Sequence, residues 1–165
     1  MKKELIKARE LVKRDTENGI FLCKYSVNGV KYNLYSAHTP VSGGLKKSYD
    51  TAAPSNTADD GFLNTALLKD QQVFCSYNKK EVPAYPLVHS AALCTDLGHT
   101  DWYLASINEV KEIKKSTGNL VFGTYVPSST AEDGGFMLYD KNTASNSGGM
   151  ILDFNKVYPI RRVKV

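Results

Sequence analysis

The sequence predicts an α+β fold in which two helices pack on antiparallel sheets, and three observations carry that prediction. Asn28-Gly29 stands between two runs of strand-forming residues, Ile20-Phe21-Leu22-Cys23-Lys24-Tyr25 and Val30-Lys31-Tyr32-Asn33-Leu34-Tyr35. Asn-Gly between two such runs is the strongest short-range hairpin signal. Ser106, followed three places later by Glu109, makes a capping box, and Ile107, Val110 and Ile113 continue from it at helical spacing. Pro86 suits the first turn of another helix, whose Leu87, Val88, Ala91, Cys94 and Leu97 share one broad face before Gly98 closes it.

Taken in order, residues 2–15 read as a charged helix with Leu5, Ala8 and Val12 in one stripe, flanked by Ile6 and Leu11 and stopped by Asn18-Gly19. A helix of that length is marginal alone, so it must pack on something. After the hairpin, residues 36–58 are rich in Ser, Thr, Pro, Gly and Ala and read as a long surface loop. Such a loop in a compact domain works, binds, or packs, here through Leu45 and Tyr49. Residues 59–70 read as a short helix through Phe62, Leu63, Ala66 and Leu67, residues 72–77 as a strand, and Asn78-Lys79-Lys80 as a turn. The helix over 86–97 leads into an extended segment with Trp102 and Leu104 on one side and Asp101 and Tyr103 on the other. Trp102, the single tryptophan, is the expected core anchor. The helix over 107–116 ends at Thr117-Gly118-Asn119. Residues 120–126 then read as a strand, 128–135 as a polar loop, and 136–139 and 150–154 as paired strands joined by the loop 141–149. Asn155-Lys156 reads as a turn and 158–165 as the last strand.

The chain has 165 residues, 42% of them hydrophobic, enough for one core. The expected organisation is an N-terminal helix over 1–18 and a body over 19–165. A formal charge of +4, from 21 basic and 17 acidic residues, is too mild to imply a nucleic-acid partner. No stretch approaches the roughly 20 apolar residues that cross a membrane. The start, Met-Lys-Lys-Glu-Leu-Ile-Lys-Ala-Arg-Glu-Leu, has no apolar run of signal-peptide length, so the expectation is a protein made in the cytoplasm and not exported by the general secretory route.

The residues that could carry chemistry are scattered. Cys23, Cys75 and Cys94 are odd in number, far apart and without C-x-x-C spacing, which suggests buried thiols, neither a disulfide framework nor a zinc site. His38, His89 and His99 lie at no metal-ligand spacing, and the acidic pairs Asp59-Asp60 and Glu132-Asp133 make no EF-hand loop. Ser128-Ser129 sits in no nucleophile elbow. The reading is therefore a non-enzyme with no cofactor and no metal, the alternative being an enzyme with a site in the 36–58 loop.

Gly98, Asp101, Trp102, Leu104, Ile107, Asn108 and Glu109 together resemble the signature of the Lcl C-terminal domain family, a C-type-lectin-like group. Three further pieces follow in the expected order: Ala91-Ala92-Leu93-Cys94, Tyr125-Val126-Pro127-Ser128-Ser129-Thr130, and the closing Arg161-Arg162-Val163-Lys164. Tyr103 and Ala105 depart from the pattern, as does Val126-Pro127. The calcium-dependent sugar loops of C-type lectins, Glu-Pro-Asn or Gln-Pro-Asp followed by Trp-Asn-Asp, do not occur, nor do the paired cysteines of formylglycine-generating enzymes. The resemblance implies a C-type-lectin-like fold with the N- and C-terminal strands adjacent. It also implies an ion-pair network in which Asp101 and Glu109 meet Arg161 and Lys164 and clamp the last strand to the Trp102 segment. Such domains occur on bacterial surface proteins and on phage tail and virion proteins. With no signal peptide, the expectation is a virion component that binds a host surface or a protein partner, with a bacterial adhesin as the alternative. The expected ligand surface is the loops 124–135 and 141–149, carrying Tyr125, Glu132, Asp133, Tyr139, Asn142 and Asn146. Its ligand is expected to be a glycan or a protein. The basic N-terminal helix is expected to attach this body to a larger assembly or to further copies of the chain.

Overall fold

A computed structural model describes residues 14–46, 55–70, 74–77, 80–83, 85–119, 121–123, 125–140, 143–147 and 152–165. Strands β1 (Asp15–Thr16), β2 (Gly19–Val27), β3 (Val30–Ser36) and β4 (Val41–Gly44) precede helix α1 (Gly61–Asp70). The hairpin β5 (Phe74–Tyr77) and β6 (Lys80–Pro83) leads to α2 (Pro86–Ala92), and α3 (Ile107–Thr117) follows. Strands β7 (Tyr125–Glu132), β8 (Gly135–Asp140), β9 (Thr143–Asn146), β10 (Asp153–Val157) and β11 (Ile160–Lys164) complete the order. Every pairing among the described strands is antiparallel. The architecture is α+β, as predicted.

The main sheet runs β1-β2-β3-β11. Its hairpin turns at Asn28 and Gly29, with φ of 49° and 79°, and Val27 faces Val30 across it. β11 pairs with β3, from Ile160 opposite Ser36 to Lys164 opposite Tyr32, so it does not lie beside the Ile20 strand as expected. The reason is that β1 and Arg14 already cover the outer edge of β2: Thr16 faces Gly19, and the Arg14 carbonyl accepts from the Phe21 N–H. The expected N-terminal helix falls on residues 1–13, outside the described residues, up to Arg14, which lies in a turn; Asp15 and Thr16 are strand.

Several expected loops and turns are strands. Val41–Gly44, inside the expected 36–58 loop, pairs with β10, and Leu45 behind it is buried. The glycines permit this, because a Cβ on Gly43 would stand 3.1 Å from the Leu87 amide of α2. Asn155 and Lys156 lie within β10 rather than turning the chain. Ser128, Ser129 and Thr130 form the buried middle of β7, and β8 pairs with β7 and β9 instead of with 150–154. The hydroxyls make that burial tolerable, since Ser128 donates to the Met137 carbonyl and Ser129 to that of Ala105.

Two helices also differ. α2 stops at Ala92, and a short 3₁₀ turn, Asp96–Gly98, follows with Leu97 at φ 54°. Leu97 is therefore exposed and Cys94 only half-buried, so the predicted face ends at Ala91. α1 exposes Phe62, Leu63 and Leu67 (41, 46 and 45%) and buries Asn64, Thr65 and Leu68. Its phase is set by polar anchors: Asn64 holds the Thr57 backbone, and the Thr65 hydroxyl accepts from the Leu104 N–H.

Among the described residues the core has two clusters, and the extended segment 102–105 contributes to both. Leu104 belongs to one, with Leu45, Leu68, Leu87, Val88 and Phe136. Tyr103 and Ala105 belong to the other, with Leu22, Leu34, Val110, Ile113 and Ile160. Alternating side chains thus bury both faces of this segment, and Tyr103 is inside, not on a polar side. A bridge between Tyr103 and Ile160 ties the segment to β11.

Candidate functional site

Around the Trp102 segment the charged residues resolve into two separate arrangements. Arg161 meets Asp101 through two bonds, Nε to Oδ1 at 2.9 Å and Nη2 to Oδ2 at 3.0 Å, while Nη1 donates to Asn18. Its guanidinium lies 5.9 Å from the Trp102 ring centre, and the indole N–H donates to the Asp96 carbonyl. Glu109 is not part of this pair. It is buried and accepts from the Tyr103 hydroxyl and from the backbone N–H groups of Gly61 and Ser106. Lys164 is exposed at the end of β11. The predicted four-residue network is therefore a two-residue pair, because the capping-box geometry turns Glu109 back toward its own helix start.

Burial, against the pull of its hydrogen bonds, pushes the Glu109 carboxyl up to about 7. Burial, then the carboxylates of Glu112 and Glu109, push the Cys23 thiol up to about 12, so it is no nucleophile at neutral pH. His38 pairs with Asp15 at 2.7 Å, and His99 donates to the Glu17 carbonyl at 2.9 Å. Both therefore fasten the β1 turn. Among the described residues, no three His, Cys, Asp or Glu side chains are grouped so as to hold a metal ion. Asp60, one of the predicted acidic turn residues, caps α1 and pairs with Arg162 at 2.9 Å.

The predicted ligand residues do not gather at one place. Tyr125 faces Asp140 at one end of the β7-β8-β9 sheet. Glu132, Asp133 and Asn146 stand at the other end, where the Asn146 amide donates to the Glu132 carbonyl. The six residues of β8 separate the ends by about 17 Å at the usual rise per residue. Tyr139 is buried in the core cluster around α3 and is unavailable to a ligand. Asn142 lies outside the described residues.

At the Tyr125 end the structure adds residues that the sequence reading missed. Tyr125, 44% exposed, stacks on Phe154 with ring centres 5.9 Å apart and planes 21° from parallel. The two rings wall a shallow groove of about 60 Å³ between β7 and β10, with Val126 and Pro127 beneath and Asn155 and Lys156 at its side. Lys114 donates to the Gly123 carbonyl beside it at 2.8 Å. No period-2 alternation could have signalled it, because the consecutive residues Phe154, Asn155, Lys156 and Val157 all line the groove where the register of β10 shifts, and a turn was expected there. A second cavity, of about 180 Å³, lies between α1 and the Trp102 segment, walled by Phe62, Thr65, Lys69 and Asp101.

Comparison with family models, with curated proteins and with solved structures finds no match to this chain.

Proposed function

We propose that this chain is a non-enzymatic binding and assembly module of a bacteriophage particle, with a C-type-lectin-like body that presents a binding face to a host surface or to a protein partner. The observation that carries the reading is the Tyr125–Phe154 pair. The half-exposed Tyr125 ring on β7 is held against Phe154 on β10, two strands each paired in its own sheet, beside a groove lined by Asn155 and Lys156, which is how a rigid scaffold offers a contact face without moving. Support for the body type comes from the order of parts around Trp102. The capping-box helix α3 follows the extended segment directly, and β11 docks against that segment through Tyr103 and Ile160. The particle assignment rests on the resemblance of 98–109 and the later segments to the Lcl C-terminal domain family. Among the described residues no helix is long and apolar enough to cross a membrane.

Glycan-array binding and pull-down from host surface extract test the binding face, with Tyr125→Ala and Phe154→Ala as paired variants. The reading expects at least a tenfold loss in both variants with folding retained. Binding at the wild-type level by both variants would overturn it. Mass spectrometry of purified particles tests the assembly role, and absence of the chain from them would refute it.

A further inference from the structure

The cavity of about 180 Å³ between α1, the end of α2 and the segment 100–103 has room for a group the size of about six water molecules. Its walls are of two kinds. Phe62, Ala66 and Ala92 make one side apolar, and Phe62 is fixed there, edge-on to Tyr103 with ring centres 5.7 Å apart and with the Arg162 guanidinium 4.8 Å from its own ring centre. The rest is polar: Lys69, in the last turn of α1, brings an ammonium, and Thr100 and Asp101 bring a hydroxyl and a carboxylate.

The charges around this cavity are unevenly matched. Arg161 has Asp101 and Arg162 has Asp60, each at 2.9 Å, whereas Lys69 has no hydrogen-bond or ion-pair partner among the described residues. Asp101 is not exhausted by its partner. Its Oδ1 accepts from Arg161 Nε and its Oδ2 from Nη2, one bond each, and 42% of the side chain is exposed. A carboxylate has about four acceptor positions, so about two remain for another donor. Lys69 and Asp101 thus line the same cavity without pairing with each other.

We propose that this cavity binds a small apolar α-amino acid as its zwitterion, with the carboxylate on Lys69, the ammonium on Asp101 and Thr100, and the side chain against Phe62, Ala66 and Ala92. A ligand with a carboxylate alone would set a second negative charge beside Asp101. A ligand with an ammonium alone would face Lys69 across the same space. Only a molecule that carries both charges next to a short apolar group meets all three walls, and each of its charges gains a charge-assisted hydrogen bond. The site shares no residue with the Tyr125 groove, so it does not depend on the binding face proposed there.

Amide chemical shifts of the isotope-labelled full chain, followed at low ionic strength, test this with three probes. They are L-valine, isobutylamine, which is valine without its carboxylate, and isovalerate, which is valine without its ammonium. Valine is expected to give saturable shifts centred on residues 62–69 and 100–103 and to bind about tenfold more tightly than either analogue, the size of one charge-assisted hydrogen bond. Lys69→Met keeps the stem without the charge, and is expected to weaken valine about tenfold without weakening isobutylamine. Ala92→Phe fills the cavity and is expected to abolish valine binding. The assignment is overturned by the absence of saturable shifts with valine, by an analogue that binds as tightly as valine, or by undiminished valine binding in either variant. Should Ala92→Phe fail to fold, Lys69→Met, on the exposed side of α1, decides alone.

Discussion

Arg161 is gripped from three sides, by Asp101, Asn18 and the face of Trp102, and only 11% of its side chain reaches solvent against 42% for Asp101. That imbalance makes the two halves of the pair unequal. Asp101→Asn strands a mostly buried guanidinium and is expected to cost about 2–3 kcal/mol, whereas Arg161→Met refills the space over the indole and leaves a carboxylate that water reaches, costing about 1 kcal/mol. Urea denaturation of the two variants checks the order, and a larger loss for Arg161→Met would refute it. Gly61 is constrained more tightly. A Cβ there would stand 2.5 Å from Glu109 Oε2, 2.5 Å from the Ser106 amide and 2.6 Å from the Leu104 carbonyl. Two of those three are backbone atoms, so Gly61→Ala is expected to cost about 3 kcal/mol by the same measurement. At this scale the expected network is there in part: Asp101 meets Arg161, while Glu109 and Lys164 lie outside the pair. The capping-box spacing already assigned Glu109 to Ser106, but charge alone did not show that its oxygens would also serve Gly61 and Tyr103 and turn away from β11.

Among the elements, those with local chemistry were legible. The Asn28-Gly29 hairpin and the Ser106–Glu109 cap each hold their own turn, and both stand where the sequence puts them. Ser106→Ala is expected to cost about 1 kcal/mol of stability, read from the thermal midpoint. Elements whose phase depends on distant partners were not legible. In α1 the stripe Phe62, Leu63, Ala66 and Leu67 looked like the buried face, yet Asn64 and Thr65 turn inward because each satisfies a backbone group elsewhere in the chain. Leu68→Ala is accordingly expected to cost about 2–4 kcal/mol, and Leu67→Ala, on the exposed side, less than about 0.5. Equal losses in the two would show the phase to be wrong. The same dependence hid the groove, since Phe154 meets Tyr125 only because β10 pairs with β4 and not with β8.

For the molecule as a whole, the β1 turn belongs to the body. Asp15 is paired with His38, the Glu17 carbonyl with His99, and Asn18 with Arg161. An assembly role for the basic N-terminal stretch is therefore tested by deleting residues 1–13 and no further. That deletion is expected to leave the thermal midpoint within a few degrees while abolishing incorporation into a larger particle, and incorporation at the wild-type level would refute the role. Deletion through residue 17 is expected to lower the midpoint as well. The strand order also bears on how the protein is made. β3 carries β2 on one edge and β11 on the other, and β4 waits for β10. The hairpin can fold as soon as it is synthesised, but its open edge finds a partner only when the far end of the chain arrives. Until then each nascent copy displays an unpaired strand of the shape that another copy's β11 is built to fill. Exchange of that strand between neighbouring chains, swinging at Tyr158-Pro159, is the misassembly this topology invites, and slow or crowded synthesis favours it.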